Sequence, residues 1–216
     1  MQPQDKSQPQ NDQWGQYRCP AGVLGRTVAA SMNSGHWDLT TWGLKHVCIK
    51  PGFVVLDVGC GGGKTISRLA RRASRGKVYG LDQSEDMVEY SRQTNRKLNT
   101  QNRVEILHGS VEKTVFKDEF FDLVTAFETY YFWPNPADAF IEMKRVLKKG
   151  GYLLIVNEMI ADGKYEVENV ELIAKTQVRL VQLNKLEMML HSAGFSIVKV
   201  YRKRKSVWNA LLAQKL

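Results

Sequence analysis

Between Val55 and Thr65 the chain reads Val-Leu-Asp-Val-Gly-Cys-Gly-Gly-Gly-Lys-Thr. An apolar run that ends in clustered glycines and then turns helical brings bare backbone close to a ligand. It also aims helix-start N–H groups into the same space. Spacing decides which ligand. A phosphate loop needs four residues between its first glycine and Gly-Lys-Ser/Thr. Gly63-Lys64-Thr65 ends such a loop, but Val58 stands where the first glycine belongs, and starting at Gly59 leaves the loop one residue short. A dinucleotide fingerprint needs G-x-G-x-x-G, with the third glycine where helix and strand pack closely. Counted from Gly59 that position is Lys64, and counted from Gly61 it is Ile66, so both registers fail.

Other side chains have placements that suit chemistry. Asp82 closes the apolar run Val78–Leu81. A carboxylate there can accept two hydrogen bonds from ribose hydroxyls; its plainer role is a helix cap or a turn carboxylate. Glu128 follows the run Phe121–Phe127 and is the carboxylate at that strand end, so it is a candidate catalytic group lining an acceptor pocket, or else an exposed loop glutamate. Thr129-Tyr130-Tyr131-Phe132-Trp133-Pro134 is aromatic for a loop. Tyr130, Tyr131 and Trp133 are candidates for a wall around an apolar or cationic acceptor, or they pack under the next helix. His36, with Trp37 beside it in Met32–Trp37, is a candidate base or carboxylate contact, although a lone histidine is more often structural. Cys19, Cys48 and Cys60 contain no C-x-x-C pair, so neither a disulfide framework nor a metal site is expected.

Positioning these groups requires an alternation of strands and helices. Phe53–Leu56 after Pro51-Gly52, Val78–Leu81, Val104–Leu107, Phe121–Phe127 and Tyr152–Val156 read as buried strands. Between them, Ile66, Leu69, Ala70 and Ala73 form one helical face, and Ser84 caps a helix whose first turn carries Glu85 and Asp86. Asn135-Pro136 opens a helix lined by Phe140, Met143 and Leu147 and stopped by Gly150-Gly151. That order specifies a mostly parallel sheet covered on both faces. The runs Phe195–Tyr201 and Val207–Ala213 close the chain as an antiparallel hairpin. Residues 1–16 read as a disordered polar tail, and 17–216 as a single domain. Segments 17–48 and 161–182 are read as lids over the strand ends; the first brings His36, Trp37 and Trp42, and the second an apolar stripe of Val167, Val170, Ile173 and Ala174.

From about residue 45 to 160 the chain resembles the class I S-adenosylmethionine (SAM)-dependent methyltransferases, in the branch similar to the ubiquinone/menaquinone-biosynthesis enzymes. Asp57, Gly59, Gly61 and Gly63 occupy the fixed positions of the family's first motif, hydrophobic-hydrophobic-D-x-G-x-G-x-G, and Val146–Gly151 matches its helix end with Lys149 in place of Pro. SAM carries no phosphate, which removes the need for the third dinucleotide glycine. The resemblance implies an α/β, Rossmann-like, doubly wound seven-stranded sheet of order 3-2-1-4-5-7-6. It implies that Asp57 lies near the methionine ammonium, with backbone of Phe127 beside it, and that Asp82 holds the ribose. Gln83, where the family is usually apolar, packs on the adenine; Met87 is a further cofactor contact or else simple helix core; Ser110 replaces the family's Asp at the adenine amino group, and Val111 offers a backbone N–H. Gly59, Cys60 and Gly61 supply the loop, and the region of Met32–Trp37 covers the cofactor. The family's Asn/Asp-Pro-Pro-aromatic signature of amino-directed DNA and release-factor enzymes is absent after Phe127.

The composition fits one globular domain: 216 residues, 43% hydrophobic and 25% charged, with no apolar run long enough to span a membrane. The few cysteines suggest a reducing, cytoplasmic setting. A net charge of +9 raises the prior for an anionic partner, yet only Arg202-Lys203-Arg204-Lys205 forms a basic run. The expected function is in-line transfer of a methyl group from SAM to a small-molecule acceptor, yielding S-adenosylhomocysteine. RNA methylation and a catalytically silent SAM-binding protein remain the alternatives.

Overall fold

A computed structural model describes residues 15–216, and of Ile197 and Val198 the backbone alone. In chain order the elements are α1 (Gly15–Arg18), α2 (Gly22–Gly35), α3 (Trp37–Gly43), β1 (Val54–Val58), α4 (Lys64–Arg72), β2 (Lys77–Asp82), α5 (Glu85–Thr94), α6 (Arg96–Thr100) and β3 (Val104–His108). There follow β4 (Phe121–Phe127), a 3-10 turn (Tyr130–Phe132), α7 (Pro136–Val146), β5 (Leu147–Asn157), α8 (Lys164–Glu168), α9 (Val170–Thr176), α10 (Leu183–Ser192), β6 (Phe195–Arg202) and β7 (Asn209–Lys215). The seven strands form one sheet in the order β3-β2-β1-β4-β5-β7-β6. The first five run parallel, and β7 is antiparallel to both β5 and β6. The architecture is the doubly wound one expected from the alternation.

Side chains along a strand alternate between faces. Leu56, Val58, Leu153 and Ile155 join Phe140 and Met143 of α7 and Leu186 and Leu190 of α10 in one core. Val55, Leu154 and Val156 join Leu39 of α3, Ile66 and Leu69 of α4 and Val88 of α5 in the other. The two-residue period therefore builds two cores, one per face. Strand order reverses between β1 and its neighbours β2 and β4, which opens a crevice at their carboxyl ends. Among the described residues no helix is long and apolar enough to cross a membrane.

Helices α1–α3 lie over those strand ends. The Arg18 carbonyl accepts from Gln83 Nε2 at 3.1 Å, and the Trp37 carbonyl accepts from Arg68 Nη1 at 2.9 Å. The Pro20 carbonyl accepts from the Ser84 hydroxyl and the Leu44 carbonyl from Arg72. Asp86 Oδ2 in turn accepts the Gly22 N–H at 2.8 Å, so the acid in the first turn of α5 receives the start of α2.

Several sequence expectations need correction. The expected tail, residues 1–16, lies outside the described residues except for Gly15 and Gln16, which are helical, with Gln16 buried. Helix α7 stops at Val146, before the glycine pair; Leu147 is already extended and pairs with Phe121. Gly150-Gly151 instead turn the chain inside β5, Gly150 at φ 73°, and the register with β4 resumes at Leu123–Tyr152. Segment 161–182 is two short helices, and its stripe is not a buried face: Val167 is 76% and Val170 63% exposed. Trp42 does not reach the crevice but packs against His46 and Trp208.

Phe140 is fully buried and meets the Trp133 ring edge-on, centroids 5.6 Å apart. Phe140→Ala should lower unfolding stability by about 3–5 kcal/mol in denaturant titration, because a large core ring leaves a cavity. A loss below about 1 kcal/mol would contradict this packing.

Candidate functional site

One cleft opens at the carboxyl ends of β1, β2 and β4 under the α1–α3 layer. Its floor begins where β1 ends. Gly59 sits at φ 65° with Thr129 so close that a Cβ would fall 2.1 Å from the threonine Oγ1. Gly63, at φ 79°, caps α4 in the left-handed region. Both positions require glycine on conformation and space together. Next to them, a Cβ on Gly62 would fall 2.1 Å from the Asn33 side chain, so the helical layer rests directly on the loop.

Asp82 holds this loop in place. Its Oδ2 accepts the Gly61 N–H at 2.8 Å and its Oδ1 the Ser84 N–H at 2.9 Å. Burial pushes its carboxyl up, and those backbone bonds pull it back. A carboxylate has more acceptor capacity than these bonds use, and Asp82 lines the cleft. Asp57 is 2% exposed and accepts from Thr125 Oγ1 at 2.6 Å. Burial raises its pKa to about 7, with the Asp82 charge adding to the rise and the threonine bond opposing it.

At the other end of the cleft, Glu128 sits just past β4 with a positive φ of 55°. The Tyr131 hydroxyl donates to its Oε2 at 2.6 Å, and the Glu158 N–H to its Oε1 at 2.5 Å. Burial raises the Glu128 pKa to about 7, with Glu158 reinforcing the rise. His36, between α2 and α3, places Nε2 3.4 Å from Glu158 Oε1. Burial works against its charge, but the Glu158 hydrogen bond and the Glu128 and Glu158 charges outweigh it and raise the His36 pKa.

Of the residues singled out from sequence, Asp57, Gly59, Cys60, Gly61, Asp82, Gln83, Met87, Ser110, Val111 and Phe127 all line this cleft, as do His36, Glu128, Trp37 and Trp133. Tyr130 and Tyr131 do not. Each is 2% exposed and packs in the core under α7 and α10, since the 3-10 turn points both rings inward. Phe132 and Pro134 take their place on the cleft wall. Ser110 is partnered locally, accepting the Glu112 N–H at 3.2 Å. Trp37 carries the Arg68 guanidinium over its ring at 4.0 Å.

Glu158 was missed. It stands just past β5 as Glu128 stands past β4, so reading every strand end for acids would have found it. Lys64, Arg68, Arg18 and Asn33 also line the cleft and carry no sequence signal of their own.

A family model described as "Methyltransferase domain" matches residues 56–155. Demethylmenaquinone methyltransferase of Bacillus cereus is 37% identical over 107 residues, covering 49% of this chain and 45% of that one. A putative methyltransferase of Bacillus halodurans is 30% identical, with a TM-score of 0.67 over 75% of this chain and 71% of that one. A SAM dependent methyltransferase from Aquifex aeolicus is 25% identical, with a TM-score of 0.72 over 88% of this chain and 98% of that one. The chain spans only 33–42% of the length of three further curated relatives, each 32–34% identical to it.

The Asp57 carboxyl gives a pH signature. Its pKa is raised in the fold, so between about 4 and about 7 the folded chain binds a proton that the unfolded chain has released. Its favourable contribution is complete at low pH and is lost as pH rises through about 7. Asp57→Asn, which keeps an acceptor for Thr125, should stabilise the ligand-free protein at pH 8 by about 2–4 kcal/mol and change little at pH 4. Thermal melts at the two pH values check this; an equal gain at both would show that the charge is not the cause.

Proposed function

The chain belongs to the class I SAM-dependent methyltransferases, and on that premise we propose that it transfers a methyl group from SAM to a small-molecule acceptor. The observation that carries this reading is the convergence of the Gly59–Gly63 loop, Asp57 and Asp82 on one cleft. The cleft fits the cofactor. Gly61 lines it, and a Cβ built on Gly61 meets no atom within 4 Å, leaving bare backbone toward the ligand. Two buried carboxylates stand at separate points of the wall, Asp82 for the ribose hydroxyls and Asp57 for the methionine ammonium. Gln83, Met87, Ser110 and Val111 surround the adenine end.

When bound, SAM supplies an electrophilic methyl group on a cationic sulfur. The protein's own work is then alignment and exclusion of water. Phe127 and Glu128 mark the acceptor end, and Phe132, Trp133 and Trp37 give it an apolar wall. Glu128 and His36 are the groups there that can take a proton from an acceptor needing activation. The α1–α3 layer closes the cleft from above, which suits a small acceptor. Segment 161–182 supports that enclosure from outside: the Arg179 N–H donates to the Tyr131 carbonyl at 3.0 Å and Arg179 Nη1 to the Pro134 carbonyl at 2.8 Å. The basic run is not gathered at the cleft. It forms the β6–β7 turn, with Lys203 Nζ 3.4 Å from the Trp208 ring centroid.

Calorimetry tests the cofactor assignment. Asp82→Ala should weaken SAM binding by about 1.5–3 kcal/mol, roughly 10- to 150-fold, by removing the partner of the ribose hydroxyls. Circular dichroism reports separately whether the fold stands. Wild-type protein that shows no SAM binding, or a folded variant with unchanged affinity, would overturn the assignment.

A further inference from the structure

Three side chains from three separate parts of the chain meet at the acceptor end of the cleft. His36 comes from the α2–α3 junction, Glu128 from the end of β4 and Glu158 from the end of β5. One donor atom from each lies within 4.8 Å of the other two. We propose that these three residues hold a divalent cation, which binds the methyl acceptor through two adjacent oxygens.

The donor set is one imidazole and two carboxylates, a mixture suited to manganese, iron, cobalt or zinc as the divalent ion. Ligand atoms about 2.0–2.2 Å from a metal lie roughly 3–3.5 Å from one another. The His36–Glu158 separation of 3.4 Å already meets that spacing. The other separations, within 4.8 Å, close by about 1–2 Å around an ion.

Glu128 is held as a metal-binding carboxylate is held. It is 5% exposed, and each oxygen accepts one hydrogen bond, from the Tyr131 hydroxyl and from the Glu158 N–H. Such bonds from outside fix a ligand's orientation and leave lone pairs for the ion. They also explain why a tyrosine buried in the core aims its hydroxyl at Glu128. The positive φ of Glu128 is a costly backbone state for a residue with a side chain. It is kept in place by the Glu128 N–H donating to the Val156 carbonyl at 3.0 Å. Two carboxylates side by side repel each other, and a dipositive ion between them offsets both charges.

Three protein ligands leave the remaining positions of an octahedral ion open toward the cleft. An acceptor with vicinal oxygens, such as a catechol or an α-hydroxy ketone, would fill two of them and be oriented by the metal. This choice of acceptor rests on the methyltransferase reading. The cation site does not.

The test uses the full chain, stripped with EDTA and titrated with Mn²⁺, with free Mn²⁺ followed by electron paramagnetic resonance. One equivalent should bind with micromolar affinity. Glu158→Gln and His36→Gln should each weaken it at least tenfold. Both side chains are partly exposed, and circular dichroism checks that the variants fold. Glu168→Gln, on exposed α8, should leave the affinity unchanged. No stoichiometric binding below about 1 mM, or a loss under tenfold in either site variant, would overturn the proposal. SAM calorimetry on the stripped protein runs beside it. SAM binding without Mn²⁺ binding refutes the metal site alone, and Mn²⁺ binding without SAM binding refutes the methyltransferase reading alone.

Discussion

The two hydrogen bonds that the Asp82 carboxylate accepts from Gly61 and Ser84 hold the rest of the site together. The first pins the glycine loop, which follows β1, to the end of β2. The second sets Ser84, whose hydroxyl then accepts the Met87 N–H at 3.2 Å to start α5 and donates to the Pro20 carbonyl. One side chain thereby aligns two strand ends, a helix start and the layer above. A parallel sheet gives such a residue its leverage, because it brings separate carboxyl ends to one edge.

The site is dominated by carboxylates that the fold does not solvate. Asp57, Asp82 and Glu128 are 2%, 8% and 5% exposed, and burial raises the pKa of each. Among the described residues no arginine or lysine forms a salt bridge with any of them. The ion pairs that do form, such as Arg145 with Glu142 and Asp118, lie elsewhere. Buried carboxylates with hydrogen bonds but no basic side chain beside them cost stability, and groups with raised pKa values set in a cleft are the usual mark of a ligand site.

Much of this was legible in the sequence because the determinants are local. The Ser84 and Asn135 caps form as their residue types specify, and the strand runs lie where apolar clustering puts them. The misreadings come from nonlocal choices. Gly150-Gly151 looks like a helix stop, but pairing of Leu147 with Phe121 captures the chain before it reaches them. Tyr130 and Tyr131 look like pocket walls, yet a single 3-10 turn sends both rings into the core and leaves Phe132 at the surface of the cleft. The role of Glu158 depends on β5 lying beside β4, which is a fact of topology and not of its neighbours in sequence.

The covering layer is attached in a particular way. At Arg18, Pro20 and Leu44 it contributes main-chain carbonyls, and at Trp37 a carbonyl together with the ring under Arg68, while the donors are the side chains of Gln83, Ser84, Arg68 and Arg72 on the sheet side. A carbonyl survives any substitution of its own residue. These four attachments therefore tolerate substitution in the layer, whereas the side chains that pack into the core, such as Leu39 and Leu44, or rest on the loop, such as Asn33, do not. Such an arrangement concentrates evolutionary latitude in the layer's remaining side chains, those that line the cleft.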